Sequence, residues 1–284
     1  MSIDSTWLRC PNCFRPLSQL GERVLGCDSG HRFDVSRHGT VTLLPPRSPQ
    51  TIGDSRAMLA ARQDLLRSGL FSPIADAIIT ASSQGLSDVA SPRIADLGCG
   101  TGYYAVRLAQ AIPSASFFAA DRSPIAVRMA ARTIPNSTGV VLDLWRPLPL
   151  RDATADLAIN VFAPRNPAEF ARVIRRGGTL VVVVPTTDHL MELRTRGDLL
   201  DVPGGKDAFV TGQLVSAGFS APHTVRVQYE AAVGSVQRAA LVGMGPSSHH
   251  VTAGPDDAPP GVEPPPERVT VSVDVLAFQR AGNS

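Results

Sequence analysis

Two groups of residues in this chain have the types and spacing from which chemistry could be built. The first is Cys10-Pro-Asn-Cys13, followed after thirteen residues by Cys27-Asp-Ser-Gly-His31. Two pairs of thiol and imidazole ligands, each on its own tight turn, meet the demand of a tetrahedral zinc ion. With Cys10, Cys13, Cys27 and His31 as ligands no coordination position stays open, so the role is structural. Incidental buried thiols are the alternative. The second group is Asp96-Leu97-Gly98-Cys99-Gly100-Thr101-Gly102. Three alternating glycines after an apolar segment read as a strand, a sharp turn and a helix start, where a missing Cβ lets backbone N–H groups approach a bulky ligand. A dinucleotide site of the G-x-G-x-x-G kind requires glycine at 103, and this chain has Tyr103 there. A glycine turn that binds nothing is the other reading.

The elements that must position these groups follow from periodicity. Apolar and polar residues alternate from Arg32 to Leu44, which predicts further strand in the zinc module; Pro45 to Gly53 reads as a linker. Helices are predicted over Arg56–Arg67 and from Ser72-Pro73 to about Gln84, where a cap and a proline at the first helical position set the start. Strand Arg93–Leu97 feeds the glycine turn, and helix Tyr103–Ile112 leaves it. Strand Ala115–Ala120 ends at Asp121, helix Pro124–Thr133 follows, and strand Gly139–Leu142 ends at Asp143. Strand Asp156–Val161 then delivers Asn160, Phe162, Ala163 and Pro164 to the carboxyl edge of the sheet, where open α/β sheets bind ligands. Helix Pro167–Arg175, strand Thr179–Val184 and the loop holding Asp188, His189 and Glu192 come next. A helix from near Asp207, strand Thr224–Tyr229, helix Ser235–Val242 and strand Val269–Phe278 close the domain, with proline-rich Ala253 to Pro266 between the last two.

Composition bounds the function. The 284 residues are 43% hydrophobic, enough for a sizeable core in one large domain or two. No apolar run approaches the ~20 residues of a membrane span, and Arg9 and Cys10 sit where a secretory apolar segment would be, so a cytoplasmic protein without membrane contact is expected. A net charge of +2 does not announce a nucleic-acid binder through bulk charge, leaving room for a local basic face. Lys206 is the only lysine among 27 basic residues, a bias that genome composition explains.

The pattern D-x-G-x-G-x-G at 96 to 102 resembles motif I of the Rossmann-like S-adenosylmethionine-dependent methyltransferases. Longer stretches resemble one family, the 23S ribosomal RNA (guanine-N1)-methyltransferases, including members that confer tylosin-type macrolide resistance. They are C-P-N-C at 10 to 13, C-D-S-G-H-R-F-D at 27 to 34, G-D-S-R-A-M at 53 to 58 with Ala61-Arg62, N-V-F-A-P-R-N-P at 160 to 167, H-L-M-E-L at 189 to 193 and M-G-P-S-S at 244 to 248. One departure is G-T-V-T-L-L at 39 to 44, where the family often has G-Y-V-N-L-L and so a tyrosine this chain cannot place on a base.

The resemblance implies a class I methyltransferase domain, a seven-stranded sheet with an antiparallel last strand, at 87–284, behind a zinc ribbon at 1–47 and bridging helices at 48–86. It implies S-adenosylmethionine and structural zinc as cofactors, and methylation of guanine N1 in a 23S rRNA hairpin, with macrolide resistance as one outcome. Asp96 would orient the methionine portion while Gly98, Cys99, Gly100, Thr101, Gly102 and Tyr103 pass under the cofactor. Asp121, with Arg122 beside it, suits the ribose hydroxyls; Asp143, Leu144 and Trp145 suit the adenine, and Asn160 the methionine portion or the base. Because guanine N1 carries a proton, a base is needed, for which His189 and Asp188 are the candidates, with Asn160 beside the reacting atoms. N1 lies on the pairing edge, so the base must be unpaired or flipped, with Phe162 as a stacking surface. Arg32, Arg37, Arg56, Arg62, Trp7, Phe14 and Phe33 are candidate RNA contacts. Two other readings stay open: a small-molecule methyltransferase, and a non-enzymatic zinc-dependent RNA-binding protein. Homodimerisation is left open as well.

Overall fold

The computed structural model describes residues 3–45, 54–244 and 265–282. All but Pro45 of the expected linker Pro45 to Gly53, the Gly245–Ser248 part of the last motif, and all but Pro265 and Pro266 of the proline-rich segment Ala253 to Pro266 lie outside them. The amino-terminal strands β1 (Ser18–Gly21), β2 (Val24–Gly26) and β3 (Arg32–Asp34) form a three-stranded antiparallel ribbon. The next strand, β4 (Thr40–Thr42), leaves the ribbon. Helices α1 (Arg56–Arg67) and α2 (Ser72–Ser83) lead into the alternation β5 (Arg93–Leu97), α3 (Tyr103–Ala111), β6 (Ser116–Asp121), α4 (Pro124–Thr133), β7 (Ser137–Val141) and β8 (Ala155–Val161). Then come α5 (Pro167–Val173), β9 (Ile174–Pro185), α6 (Met191–Thr195), α7 (Lys206–Ser216), β10 (His223–Val233), α8 (Ser235–Gly243) and β11 (Glu267–Gln279).

The main sheet has the order β10-β11-β9-β8-β5-β6-β7-β4. Strand β11 runs antiparallel to both its neighbours, β9 and β10, while β5 to β9 are mutually parallel. The antiparallel last strand is as expected. The strand count is not, because β4 adds an eighth strand, parallel to β7, through the register Thr40↔Gly139 to Thr42↔Val141. The alternation from Arg32 to Leu44 therefore serves two sheets. Inward-facing Val41 and Leu43 are buried, and Leu43 N–H donates to Val141 O at 2.9 Å.

Apolar burial on both faces explains why the central strands read as near-continuous Val, Ile, Leu and Ala runs. Val181 to Val184 of β9 are buried on both sides, with Phe278 and Leu276 on one face and Val271, Val273 and Val275 on the other. The ribbon shares the first of these cores. Trp7 is fully buried, its ring 5.5 Å from that of Phe118, and the Arg93 guanidinium lies 4.1 Å over it. Arg151 donates to Leu8 O and Leu17 O at 2.8 Å each, and Arg9 pairs with Glu169. Trp7 is thus a core residue and is unavailable as an RNA contact. Among the described residues no helix is long and apolar enough to cross a membrane.

Candidate cofactor and metal sites

Two turns bring the ribbon ligands together. Phe14 N–H donates to Cys10 O at 2.9 Å, and Gly30, at φ 86°, closes the turn from Cys27 that returns the chain to His31. The Cys13 and Cys27 sulfurs are 3.6 Å apart, and His31 Nδ1 lies 3.6 Å from Cys10 Sγ and 3.5 Å from Cys27 Sγ. All four ligand atoms lie within 4.8 Å of one another. A zinc ion with bonds of ~2.3 Å to sulfur spans tetrahedral edges of roughly 3.8 Å, so this donor set fits one four-coordinate zinc.

At the carboxyl ends of β5 to β8, under α1, lies a cavity of about 530 Å³. That volume is in the range of small-molecule and cofactor sites. The glycine turn forms its floor. Gly98 and Cys99 N–H both donate to Ala120 O at 2.8 Å, tying the turn to β6. Gly98 has φ 101°, and a Cβ there would stand 2.3 Å from that of Ala163, so only glycine lets the turn pass the loop after β8. Gly102 does a different job. At φ 82° it caps α3, and a Cβ would lie 2.8 Å from Ala130 Cα, so it sets helix packing and does not line the cavity.

Three carboxyls line the floor at the ends of successive strands. Asp96 is buried, and desolvation, with Asp121 nearby, pushes it up to about 8. Asp121 accepts Gly100 N–H at 3.0 Å and Ser123 N–H at 2.8 Å; its burial nevertheless raises its pKa. Asp143 accepts Trp145 N–H at 3.0 Å and is ion-paired with Arg122. Along the wall stand Arg62, paired with Asp54 and donating to Met244 O at 2.9 Å, and the aromatic residues Trp145 and Phe162. Trp145 is 70% exposed and Phe162 44%, and Phe162 adopts φ 51°. The Phe162 ring stacks on His189 with centroids 5.8 Å apart and planes at 26°.

The methyltransferase domain family model matches residues 94–178, and the family model described as RlmA, N-terminal, a zinc ribbon, matches residues 8–49. The 23S rRNA (guanine(748)-N(1))-methyltransferase of Streptomyces fradiae is 40% identical to the chain, covering 86% of each. The chain belongs to the 23S rRNA (guanine-N1)-methyltransferase family. A Micromonospora griseorubida relative is 41% identical over 86% of this chain and 87% of its own length. Among solved structures, the Bacillus subtilis protein YcgJ has the same fold at TM-score 0.50 and 13% identity, covering 74% of this chain and 98% of that one. The chain is therefore a methyltransferase that uses S-adenosylmethionine, and its cavity fits that cofactor. Its lining combines the carboxyls Asp96, Asp121 and Asp143, the guanidinium of Arg62 paired with Asp54, and aromatic rings, a donor and acceptor set suited to a charged nucleoside cofactor.

Of the residues expected at the cofactor from sequence, Asp96, Gly98, Cys99, Gly100, Thr101, Tyr103, Asp121, Arg122, Asp143 and Leu144 all line this cavity. Gly102 and Asn160 do not. Asn160 is fully buried and gives both amide hydrogens to the chain, to Leu97 O at 2.7 Å and Pro164 O at 2.9 Å, so it braces β8 against β5. Its Oδ1 is buried with no partner among the described residues, and the side chain stands behind the cavity lining, not in it. Asp188 also lies outside the cavity lining, with Thr187 Oγ1 at 3.4 Å.

His189 does line the cavity, yet its environment opposes the role of base. Its Nδ1 accepts Ser272 N–H at 3.2 Å, which leaves the proton on Nε2. Burial, with the positive charges of Arg194 and Lys206, pushes its pKa down to about 4. His189 is a neutral hydrogen-bond donor and a stacking partner. Glu192 of the same loop is occupied by Thr270, accepting its N–H and hydroxyl at 2.9 and 2.6 Å. Sequence reasoning placed Arg62 at the RNA, whereas α1 turns it into the cavity with Met58 and Leu66. The apolar stripe of α1 was legible, but its target was not.

Proposed function

We propose that this chain transfers the methyl group of S-adenosylmethionine to N1 of a guanine in a hairpin of 23S rRNA, in the cytoplasm. The observation that carries the reading is Phe162, a large aromatic ring held exposed at the carboxyl end of β8, backed by His189 and bordering the same cavity as the glycine turn. An unfilled ring face at a cavity mouth suits a flipped purine, since stacking on aromatic side chains is how single-stranded bases are gripped. The cofactor would supply the methyl group by in-line displacement, its sulfonium leaving as a neutral thioether, and the N1 proton would pass to solvent, since His189 keeps its own proton on Nε2. The chain contributes alignment: the glycine turn and the carboxyls Asp96, Asp121 and Asp143 fix the cofactor, and the Phe162–His189 stack fixes the plane of the base. His189, with its proton on Nε2, can donate to an acceptor on that base. The ribbon, with Phe14 and Arg32 exposed, supplies further RNA contacts.

Primer extension on 23S rRNA transcripts incubated with protein and S-adenosylmethionine tests this reading. A new stop at one guanosine is expected, because N1 methylation blocks pairing. Methylation of small metabolites with no stop on any rRNA transcript would replace the reading with that of a small-molecule enzyme. Where the modified guanosine lies in a macrolide-binding region, raised macrolide tolerance in cells carrying the protein is the corresponding phenotype.

A further inference from the structure

Strand β10 ends the main sheet, and it lacks the devices that usually keep such an edge from pairing. It runs for 11 residues, His223–Val233, and its register with β11 goes from His223↔Ala277 to Val233↔Glu267 without a bulge. It contains no proline and no lysine. An edge this long and regular is a template for another strand unless something covers it. Among the described residues no strand pairs with its outer side. The other end of the sheet differs: β4 has only 3 residues, and Val41 is bridged to Val35.

Hydrogen bonds at β11 reveal which backbone groups of β10 face outward. Ser272 O accepts Thr186 N–H at 3.1 Å and Thr270 O accepts Leu190 N–H at 2.6 Å, so the even-numbered residues of β11 turn toward the β9 side. Gln279 O accepts Ser220 N–H at 2.8 Å, which puts the odd-numbered ones on the β10 side. Facing residues of an antiparallel ladder either exchange both bonds or neither. Val225, Val227, Tyr229 and Ala231 therefore bond to β11, while Thr224, Arg226, Gln228, Glu230 and Ala232 present N–H and C=O to the free edge.

The charges on that edge are self-complementary. With a second β10 laid antiparallel and Gln228 on the twofold axis, Arg226 faces the partner's Glu230 and Glu230 faces the partner's Arg226. Within one chain Arg226 already holds the buried Asp274 through two bonds, at 2.9 and 3.0 Å, and Glu230 accepts from Arg268 at 2.7 Å. Pairing would join these into a row of alternating sign: Asp274, Arg226, the partner's Glu230, the partner's Arg268. On the other face Val225 meets the partner's Ala231 and Val227 the partner's Tyr229, apolar against apolar. Val225 is 39% exposed in the single chain. Other registers are worse. A slip of two positions loses both crossed ion pairs, and a slip of four sets Arg226 against Arg226 or Glu230 against Glu230.

We infer that β10 is the interface with a second copy of this chain, paired antiparallel about Gln228 so that the two main sheets become one. The twofold axis stands perpendicular to the sheet, so the carboxyl edges of the two copies point in opposite directions. Each cofactor cavity is then complete in its own chain. The inference does not rest on the proposed substrate.

Sedimentation velocity of the full chain from about 1 to about 100 µM, a range that covers weak interfaces, should show the mass rising from one chain toward two. Glu230→Arg and Arg226→Glu each set like charges together at both crossed positions, and each should weaken association about tenfold or more. Mixing the two variants should restore it, because every crossed position then holds opposite charges. That rescue, with unchanged affinity for S-adenosylmethionine, also reports that both variants fold. A second measurement reads the register. Gln228→Cys places two Cα atoms about 5.5 Å apart across the axis, within reach of a disulfide, so mild oxidation should cross-link it. Ala232→Cys should not cross-link by itself and should do so when mixed with Thr224→Cys. A wild-type chain that stays monomeric over the whole range overturns the inference, and leaves the edge to a strand of a different protein or to residues 245–264. A dimer indifferent to the charge variants, with no cross-link at Gln228, overturns it equally, because the contact is then on another face.

Discussion

Cofactor binding should be coupled to a proton at Asp96, and the size of the effect follows from its burial. Desolvation and the neighbouring Asp121 push Asp96 up to about 8. At pH 6 the unliganded protein therefore carries this carboxyl almost wholly protonated. A cationic cofactor needs the carboxylate, so the proton must leave on binding. For a pKa near 8, the affinity lost to deprotonation is roughly 100-fold at pH 6 and about 2-fold at pH 8, a change of roughly 50-fold or about 2.3 kcal/mol. Isothermal titration calorimetry with S-adenosylmethionine at pH 6, 7 and 8, in buffers of differing ionisation heat, measures both the affinity and the proton released. Asp96→Asn, weaker throughout, supplies the comparison, because it keeps the cofactor's own titration and removes that of the carboxyl. Stability gives the same group a second readout. A raised carboxyl pKa means that the folded chain keeps a proton the unfolded chain gives up, so the contribution of Asp96 falls as pH rises from about 4 to about 8. Parallel pH profiles for wild type and Asp96→Asn, in affinity and in urea midpoint, would refute the coupling.

Elemental analysis should find one zinc per chain, held by Cys10, Cys13, Cys27 and His31, and stripping it with a chelator should lower the melting temperature of the whole chain in one transition, because the ribbon shares the main core. For the same reason, deletion of residues 1–47 should give insoluble protein, seen in size-exclusion chromatography, since it removes β4 from the sheet and uncovers Phe118. Asp121→Ala should cost about 1.5 to 3 kcal/mol in chemical denaturation through the lost Gly100 and Ser123 hydrogen bonds, along with weaker cofactor binding in calorimetry. Gly98→Ala should abolish cofactor binding in the same assay, since its Cβ meets that of Ala163.

The local signals in this sequence were strong where chain neighbours decide the outcome. The spacing of Cys10, Cys13, Cys27 and His31 determines a ligand set because two short turns suffice to assemble it, and the gathered donor atoms bear this out. Strand, glycine turn and helix at 93 to 111 are likewise local, and the ladder Asp96, Asp121 and Asp143 follows from parallel strands ending at one edge. Long-range packing decided the rest. Thr40–Thr42 has only the period of a strand, and nothing in that period says which sheet will take it; pairing with β7 lies about a hundred residues away. Asn160 and His189 looked equally able to do chemistry. Only the carbonyls of Leu97 and Pro164 occupy the one, and only the Ser272 N–H fixes the protonation of the other. Arg62 and Arg165 are the same residue type in matched motifs. One, paired with Asp54, became a wall of the cofactor cavity, and the other, donating to Ala163 O, does not line it, because a charge takes its role from the groups that folding places around it.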